Sequence, residues 1–292
     1  MSMETTIKLA PDAFESVPKD IAQSQALVRP SLTYWKDAWR RLKKNKVAMV
    51  CLVFIGFIAL IAIAGPIAYP NYRANNLEKT FAEPDSENWF GTDDLGRDQF
   101  ARVLRGGRVS LFIGITVSLI SLTIGIVYGG LSGYLGGWVD DLMMRIVDIL
   151  ITIPDMVILI LLLVMLEPGI GTLILAMSLT GWTGMARLVR GQVLQIKESD
   201  FVLVSKVLGA GTFRIITKHL IPNTIGIIIV RLMMSIPGVI FSEAFLSYIG
   251  LGVRVPEASW GNLAEAGALQ FPNHLYMFFI PAVFIMLTML AF

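Results

Sequence analysis

Residues that carry out catalysis or bind metals are rare in this chain. Among its 292 residues there are one cysteine, Cys51, and two histidines, His219 and His274. A single cysteine excludes a disulfide framework and a cysteine-based zinc site, and the distant histidines exclude a zincin metalloprotease. The P-loop pattern Gly-x-x-x-x-Gly-Lys and the hydrolase pattern Gly-x-Ser-x-Gly are also missing. We therefore expect no catalytic residue, no metal site and no cofactor bound by this chain.

Charge is scarce as well. Only 16% of the residues are charged, against roughly 25% in soluble domains, while 55% are hydrophobic. These proportions exclude an ordinary soluble enzyme and a disordered chain. The net charge of +2 gives no support to nucleic-acid binding. The composition predicts an all-α protein that crosses a lipid bilayer several times.

Long apolar stretches predict six transmembrane helices, because about 20 apolar residues span a bilayer core. The predicted spans are 47–69, 110–134, 142–166, 170–188, 225–251 and 275–292. Glycines crowd the second span and permit close helix approach. Pro154 and Pro237 lie in the third and fifth spans, where we expect kinks accommodated by neighbouring helices.

Basic residues set the expected orientation. Nine Lys and Arg residues precede the first span, six of them from Lys36 to Lys46, which predicts a cytoplasmic N-terminus. The connection 190–222 then lies inside, and 71–108 and 252–273 lie outside. The expected organisation is a cytoplasmic tail over 1–46, a first helix over 47–69, an extracytoplasmic loop over 70–109 and a five-helix core over 110–292.

The segment 31–46 places Leu32, Trp35, Trp39 and Leu42 at helical spacing among basic residues. This pattern is typical of a helix lying on the anionic inner leaflet. A basic flank that only orients the first span explains it equally well. We expect residues 1–30 to form a loose tail.

Of the charged residues inside the predicted spans, Asp148, Arg231 and Glu243 are our candidates for intramembrane polar residues. Charges at such depth are costly and commonly functional. Asp148 and Arg231 lie at similar depth, which predicts an ion pair between two helices. The alternative is a local pair between Asp148 and Arg145 on one helix.

The connection 190–222 is too patterned for a linker. Asp200 is a plausible N-cap for a first short helix, which Gly209 ends. Thr212 can cap a second short helix that ends near Pro222. The first helix has an apolar face that includes Phe201, Val204 and Leu208, which indicates docking into a groove of a partner.

The sequence over 201–223 resembles the coupling loop of ABC importer permeases. In that family the loop docks on ATPase subunits and follows a Glu-Ala-Ala…Gly pattern. Leu203, Val204 and Ser205 stand in the places of Glu-Ala-Ala, while Gly209 matches the glycine. The resemblance implies ATPase-coupling roles for Phe201, Val204, Ser205, Lys206, Leu208, Gly209, Ala210, Phe213 and Arg214.

Further stretches are similar to the C-type permease subunit of dipeptide, oligopeptide and nickel ABC importers. They are 89–98, 136–148, 181–192, 243–252 and 258–262, in the family's order. The resemblance implies a type I ABC importer transmembrane domain in the cell membrane. It also implies a second permease subunit, two ATPase subunits that hold ATP and Mg, and an extracytoplasmic peptide-binding protein.

Two readings stay open for the outer segments. Asp93, Asp94, Arg97, Asp98 and Trp260 are candidate docking residues for the binding protein. Turns and helix caps explain the acidic residues of 93–98 better than a calcium loop does, since EF-hand ligand spacing is missing. The segment 253–273 either faces the binding protein or forms a re-entrant helix.

Other functions compete with peptide import. Nickel-chelate and glutathione importers are alternatives within the family. A self-contained secondary transporter is a different class, and the sequence shows no inverted repeat with paired broken helices. The last span, 275–292, ends without a basic residue. We therefore expect the natural protein to continue past Phe292.

Overall fold

The computed structural model describes residues 34–167 and 169–292. The predicted tail over 1–30, and Leu32 of the predicted interfacial helix, lie outside these ranges. Within them the regular elements are helices, with one isolated antiparallel bridge between Thr92 and Asp98. Contacts divide the chain into two units, one up to Met49 and one from Val50.

The helices are numbered in chain order. They are α1 Tyr34–Lys44, α2 Lys46–Ala68, α3 Gln99–Leu135, α4 Gly137–Thr152, α5 Asp155–Met165, α6 Ile170–Gly181, α7 Thr183–Ile196, α8 Asp200–Val207, α9 Thr212–Ile215, α10 Ile221–Tyr248, α11 Trp260–Leu269 and α12 Leu275–Ala291. A 3-10 turn occupies Leu77–Lys79, and a π-helical turn at Ile216–Leu220 joins α9 to α10.

The first unit contains α1, whose sequence is amphipathic. The Arg41 guanidinium donates to the Asp37 carboxylate at 2.7 Å, one turn away on the same helix. The Lys43 ammonium lies 5.3 Å from the centre of the Trp39 ring. The helix expected in this segment is therefore present, and its position on a lipid surface stays a prediction.

Four helical stretches in the described ranges are long and apolar enough to cross a membrane. They are Lys46–Ala68, Gln99–Leu135, Ile170–Ile196 and Thr212–Tyr248. The pair α4 and α5 adds a fifth span if it is counted as one, although it bends by 78°. The apolar α12 has only 17 residues. The expected count of six is therefore met in part, by four long helices, one broken pair and one shorter helix.

The third predicted span breaks at Pro154 instead of continuing with a kink. Ile153 is extended, as the residue before a proline prefers, and α5 starts at Asp155. Pro237, by contrast, stays inside α10. The break separates two helices that the apolar pattern had joined.

α3 has 37 residues, about 55 Å at 1.5 Å per residue, and begins well before the predicted start at residue 110. The Asp98 carboxylate caps it by accepting from the backbone N–H groups of Phe100 (3.1 Å) and Ala101 (3.3 Å). The predicted loop over 70–109 therefore ends at Asp98, and α3 carries charged residues in its first turns.

α3 packs against α7, α10 and α11. A Cβ atom on Gly129 would lie 2.2 Å from the carbonyl oxygen of Ala186, so only glycine allows this approach of α3 to α7. The close approach expected from the glycines of the second span is thus observed.

The second short helix of 190–222 does not end near Pro222. A proline inside a helix lacks one N–H donor and crowds the carbonyl one turn earlier. Here the π-helical turn Ile216–Leu220 ends two residues before Pro222, which lies in the first turn of α10, and the helix continues to Tyr248. The short helix and the fifth span form one continuous element.

Candidate functional site

Residues 200–215, which we call the α8 segment, contain the predicted first helix, the glycine that ends it and the short helix α9. Ser199, rather than Asp200, occupies the N-cap position. Gly209 has φ +81°, a left-handed conformation that favours glycine. Its N–H donates to the Lys206 carbonyl at 2.9 Å, and the Ala210 N–H donates to the Ser205 carbonyl at 3.0 Å. These bonds close the C-terminus of α8 as expected.

One face of this segment is buried and the other is not. Val202 and Ile215 are fully buried in an apolar cluster with residues of α7 and α10. The remaining large apolar side chains are exposed, namely Phe201, Leu203, Val204, Val207, Leu208 and Phe213. Leu208 and Phe213 are 81% and 80% exposed. Sequence reasoning missed Leu203 and Val207, which their four-residue spacing could have revealed.

The polar members of the predicted coupling set differ in their surroundings. The Ser205 hydroxyl donates to the Phe201 carbonyl at 2.7 Å. The Lys206 ammonium lies 5.2 Å from the centre of the Tyr134 ring. Arg214 is exposed and Ala210 is half-buried. The exposed part of the segment is therefore mainly apolar.

An ion pair joins α4 to α7. The Asp140 carboxylate accepts two hydrogen bonds from Arg190, both at 2.6 Å, and another from the Ser132 hydroxyl. The Asp140 side chain is 8% exposed. The Lys197 ammonium donates to the Gly133 carbonyl at 3.1 Å. Sequence reasoning missed this cluster, because Arg190 and Lys197 lie 50 or more positions from the groups to which they donate.

The predicted pair of Asp148 with Arg231 is wrong. Arg187 on α7 donates to Asp148 at 2.6 Å, and both side chains are about half exposed. Within 34–167 and 169–292, neither Arg231 nor Arg145 forms an ion pair. The reason is packing, since α4 lies against α7.

Arg231 lines a cavity of about 500 Å³ between α5, α6 and α10. The polar side chains of this Arg231 cavity also include Asp155, Thr180, Ser235 and Ser242. Glu243 has a different environment, since it is fully buried and accepts from the hydroxyls of Ser110 and Ser247, each at 2.9 Å. Glu243 therefore joins α10 to α3.

Most of the predicted docking residues serve the chain's own structure. Asp93 is 3% exposed and accepts hydrogen bonds from the guanidinium groups of Arg97 and Arg102. Asp98 caps α3. Trp260 is 2% exposed and donates through Nε1 to the Val103 carbonyl at 3.0 Å. Turns and caps thus explain the acidic residues of this segment, Asp93, Arg97 and Trp260 are buried, and Asp98 is half-buried.

Asp94 differs from these residues, with a side chain that is 58% exposed. The segment 253–273 contains α11, whose N-terminus is closed by reciprocal hydrogen bonds between Ser259 and Asn262. A Cβ atom on Gly107 would lie 2.8 Å from the Trp260 ring, so α11 packs tightly on α3. A helix is therefore present in this segment, and whether it faces the binding protein or re-enters the membrane stays a prediction.

A second charged cluster, which we call the Glu257 network, was not predicted. The Glu257 carboxylate accepts from Arg105 (2.9 and 3.1 Å), from the Tyr72 hydroxyl (3.1 Å) and from Arg73. Burial raises the pKa of Glu257, but the bonds and charges of Arg105, Tyr72 and Arg73 outweigh it and hold the pKa below its ordinary value. No sequence signal links residues so far apart.

Comparison with known proteins identifies the family. Residues 121–292 match the family described as binding-protein-dependent transport system inner membrane component. Residues 33–84 match the N-terminal transmembrane domain of oligopeptide transport permease C.

Two relatives from Bacillus subtilis cover nearly the whole chain. The dipeptide transport system permease protein DppC is 49% identical, over 92% of this chain and 85% of the relative. The oligopeptide transport system permease protein OppC is 45% identical, over 96% of this chain and 92% of the relative.

A solved structure shares the fold. The MetNI methionine ABC transporter, solved in inward facing conformations, matches with a TM-score of 0.52 and 19% identity. The match covers 65% of this chain and 90% of that chain. It confirms the all-α fold of a type I ABC importer transmembrane domain. The chain is a multi-pass membrane protein, and it belongs to the family of inner-membrane components of binding-protein-dependent transport systems.

Proposed function

We propose that this chain is one membrane subunit of an ATP-driven importer of short peptides. The observation that carries the proposal is its 49% and 45% identity to permeases named for dipeptide and oligopeptide transport. In this proposal ATP and Mg are bound by two ATPase subunits, and a second permease completes the pathway. An extracytoplasmic peptide-binding protein delivers the substrate.

The α8 segment is the proposed contact with an ATPase subunit. A partner that covers its exposed apolar side chains would stabilise the complex by about 25 cal/mol per Å² of apolar surface removed from water. Val202 and Ile215 pack the same segment against α7 and α10. One face of the segment is thus packed against the chain's own helices, and the other face is apolar and exposed. This arrangement suits a helix that docks in a groove.

Coupling follows from how this segment is connected. Gly209 and the two following residues lead from α8 directly into the continuous helix Thr212–Tyr248. When the ATPase subunits close, a displacement of α8 is applied to the end of that helix. Because the helix also lines the Arg231 cavity, the same displacement changes the width of the cavity. Such coupling supports alternating access.

We also propose the orientation expected from the basic residues. The α8 segment and the N-terminus face the cytoplasm, and the Glu257 network faces outward. Of the five predicted docking residues, the proposal keeps Asp94 as a contact for the binding protein, because its side chain is exposed.

Reconstitution tests the proposal. The chain, its second permease, the ATPase subunits and the binding protein are placed in proteoliposomes, and uptake of a radiolabelled tripeptide is measured. We expect uptake that requires ATP and the binding protein and stops with a hydrolysis-deficient ATPase subunit. Uptake by the permease chain alone would contradict the proposal. So would uptake of nickel chelate or glutathione without uptake of peptides.

A further inference from the structure

Arg231 is a charged residue in a membrane-spanning helix whose charge the described residues do not neutralise. Asp148 pairs with Arg187, and the Glu243 carboxylate accepts from two serine hydroxyls. Arg231 has no carboxylate within ion-pair distance anywhere in 34–167 or 169–292. A cation at this depth is costly unless it faces water or a counter-charge. We therefore expect the Arg231 guanidinium to contact water or an anion that is not among the described residues.

Arg231 is exposed and faces a cavity with the size and lining of a small-molecule site. The Arg231 cavity measures about 500 Å³, within the range of small-molecule sites. Its wall combines hydroxyl groups of Thr180, Ser235 and Ser242 with apolar side chains. A cavity with this mixture suits a small molecule that has both polar and apolar parts.

The guanidinium has room to stay in this cavity. A Cβ atom on Gly184 would lie 3.1 Å from Nη2 of Arg231, so the guanidinium rests over a glycine of α7. Asp155, at the start of α5, lines the same cavity without pairing with Arg231. Among residues 34–167 and 169–292 neither Asp155 nor Arg231 has an ion-pair partner, so a zwitterion entering the cavity would find one cation and one anion to pair with.

We infer that Arg231 binds the C-terminal carboxylate of a peptide in transit. A guanidinium offers two parallel N–H donors that match a carboxylate. Peptides of different sequence share their termini, so a contact with the terminal carboxylate would serve all of them. The inference rests on the proposed function and adds to it a residue that positions the substrate inside the membrane.

Uptake of a peptide and of its amide tests the inference. Trialanine and trialanine amide are offered to the reconstituted complex at concentrations that saturate the binding protein. A difference in the affinity of the binding protein for the two peptides then has the same effect on every permease variant. We expect Arg231→Gln to lower trialanine uptake about tenfold, because one hydrogen bond between charged groups is lost. Uptake of the amide should change less than twofold. Arg231→Lys should restore most of the trialanine uptake.

Arg187→Gln is the matched control, because it removes a cation that is paired with Asp148 outside the cavity. It should lower the uptake of both peptides by the same factor. Equal losses of both peptides in Arg231→Gln would overturn the inference, and if the complex also dissociates they would point to a carboxylate of the second permease. Unchanged uptake of both peptides would overturn it too. If the unaltered complex transports neither peptide, the proposed function fails instead.

A second measurement leaves Arg231 in place. Ser235→Cys, in a Cys51→Ser background, puts a single thiol of this chain in the cavity. Its modification by an anionic methanethiosulfonate is followed on this subunit by mass spectrometry. Trialanine should slow the modification several-fold, and trialanine amide should not. Equal protection by both peptides, or protection by neither, would overturn the inference.

Discussion

At the N-terminal end of α3, charged side chains pair with one another, whereas at its C-terminal end the α8 segment leaves large apolar side chains exposed. Glu257 at the first end has three partners inside the chain. Leu208 at the second end is 81% exposed. The two ends are separated by a helix of about 55 Å.

The difference shows at which end of α3 the side chains find their partners within the chain. Hydrogen bonds and ion pairs that close within the chain stabilise it without a partner. Exposed apolar side chains gain nothing until another surface covers them. We therefore expect substitutions at the Glu257 network to change the stability of this chain. Substitutions on the exposed face of α8 should change assembly and leave stability as it is.

The largest expected effect compares opposite faces of α8. Leu208→Asp or Phe201→Asp should weaken ATPase binding about 100-fold, because an unpaired charge enters an apolar contact. The melting temperature of the isolated permease should not change. Val202→Asp makes the same substitution at a fully buried position and should prevent folding. Binding is measured by co-purification titration and stability by thermal unfolding in detergent.

Lys206→Ala serves as the control for charge on the same helix. Its ammonium is exposed, so its loss should cost at most about 0.5 kcal/mol of binding. If Lys206→Ala weakens binding as much as Leu208→Asp, the contact is electrostatic and the contrast between the two ends is wrong.

The next largest effect concerns the ion pair between Asp140 and Arg190. Asp140→Ala leaves the Arg190 guanidinium without its partner in a largely buried site, which should cost about 2 kcal/mol of stability. Asp148→Ala removes a pair whose side chains are about half exposed and should cost less than about 1 kcal/mol. Thermal unfolding of the two variants decides this, and equal losses would show that burial does not distinguish the pairs.

Gly209 tests how the α8 segment is connected. Gly209→Val should add about 1–2 kcal/mol of backbone strain, since φ is +81° there and a side chain meets no atom within 4 Å. We expect normal membrane insertion with several-fold lower peptide-stimulated ATPase activity and uptake. Gly211→Val is the matched control, because Gly211 has an ordinary φ of −69°. Full activity of Gly209→Val would contradict the coupling role.

The smallest effect is at the Glu257 network. Because the pKa of Glu257 is held below its ordinary value of 4.5, its stabilisation is complete above that value and is lost as pH falls through the lowered pKa. The melting temperature of the unaltered chain should therefore drop between about pH 5 and pH 3. Glu257→Gln should cost about 1 kcal/mol at neutral pH and flatten this part of the pH profile. A profile that Glu257→Gln leaves unchanged would contradict the assignment.

Local patterns predicted part of this structure well. Apolar runs of helical length located the long spans, and the glycine at 209 located the end of α8, because both depend on neighbouring residues. Patterns over a few residues also failed in places. The break before Pro154 and the continuation past Pro222 look alike in sequence. Only packing against the surrounding helices decides whether the helix ends at the proline or continues through a π-helical turn.

Pairing between distant residues was the least predictable feature. Equal depth suggested Arg231 as the partner of Asp148, but α7 lies against α4 and supplies Arg187 instead. The Glu257 carboxylate meets Arg105, which is 152 positions away. Depth in the membrane follows from position along a helix, whereas the direction that a side chain faces follows from which helices pack together.

The sequence by itself determined the membrane class, the main spans and the presence of a short helix that ends at Gly209. Hydrophobicity and backbone preference act over a few residues, and these features depend on nothing more. The tertiary structure alone decided which charges are satisfied, which face of α8 is exposed and which arginine is left to line a cavity. These outcomes depend on contacts between residues far apart in the chain, and such contacts exist only after the helices have packed.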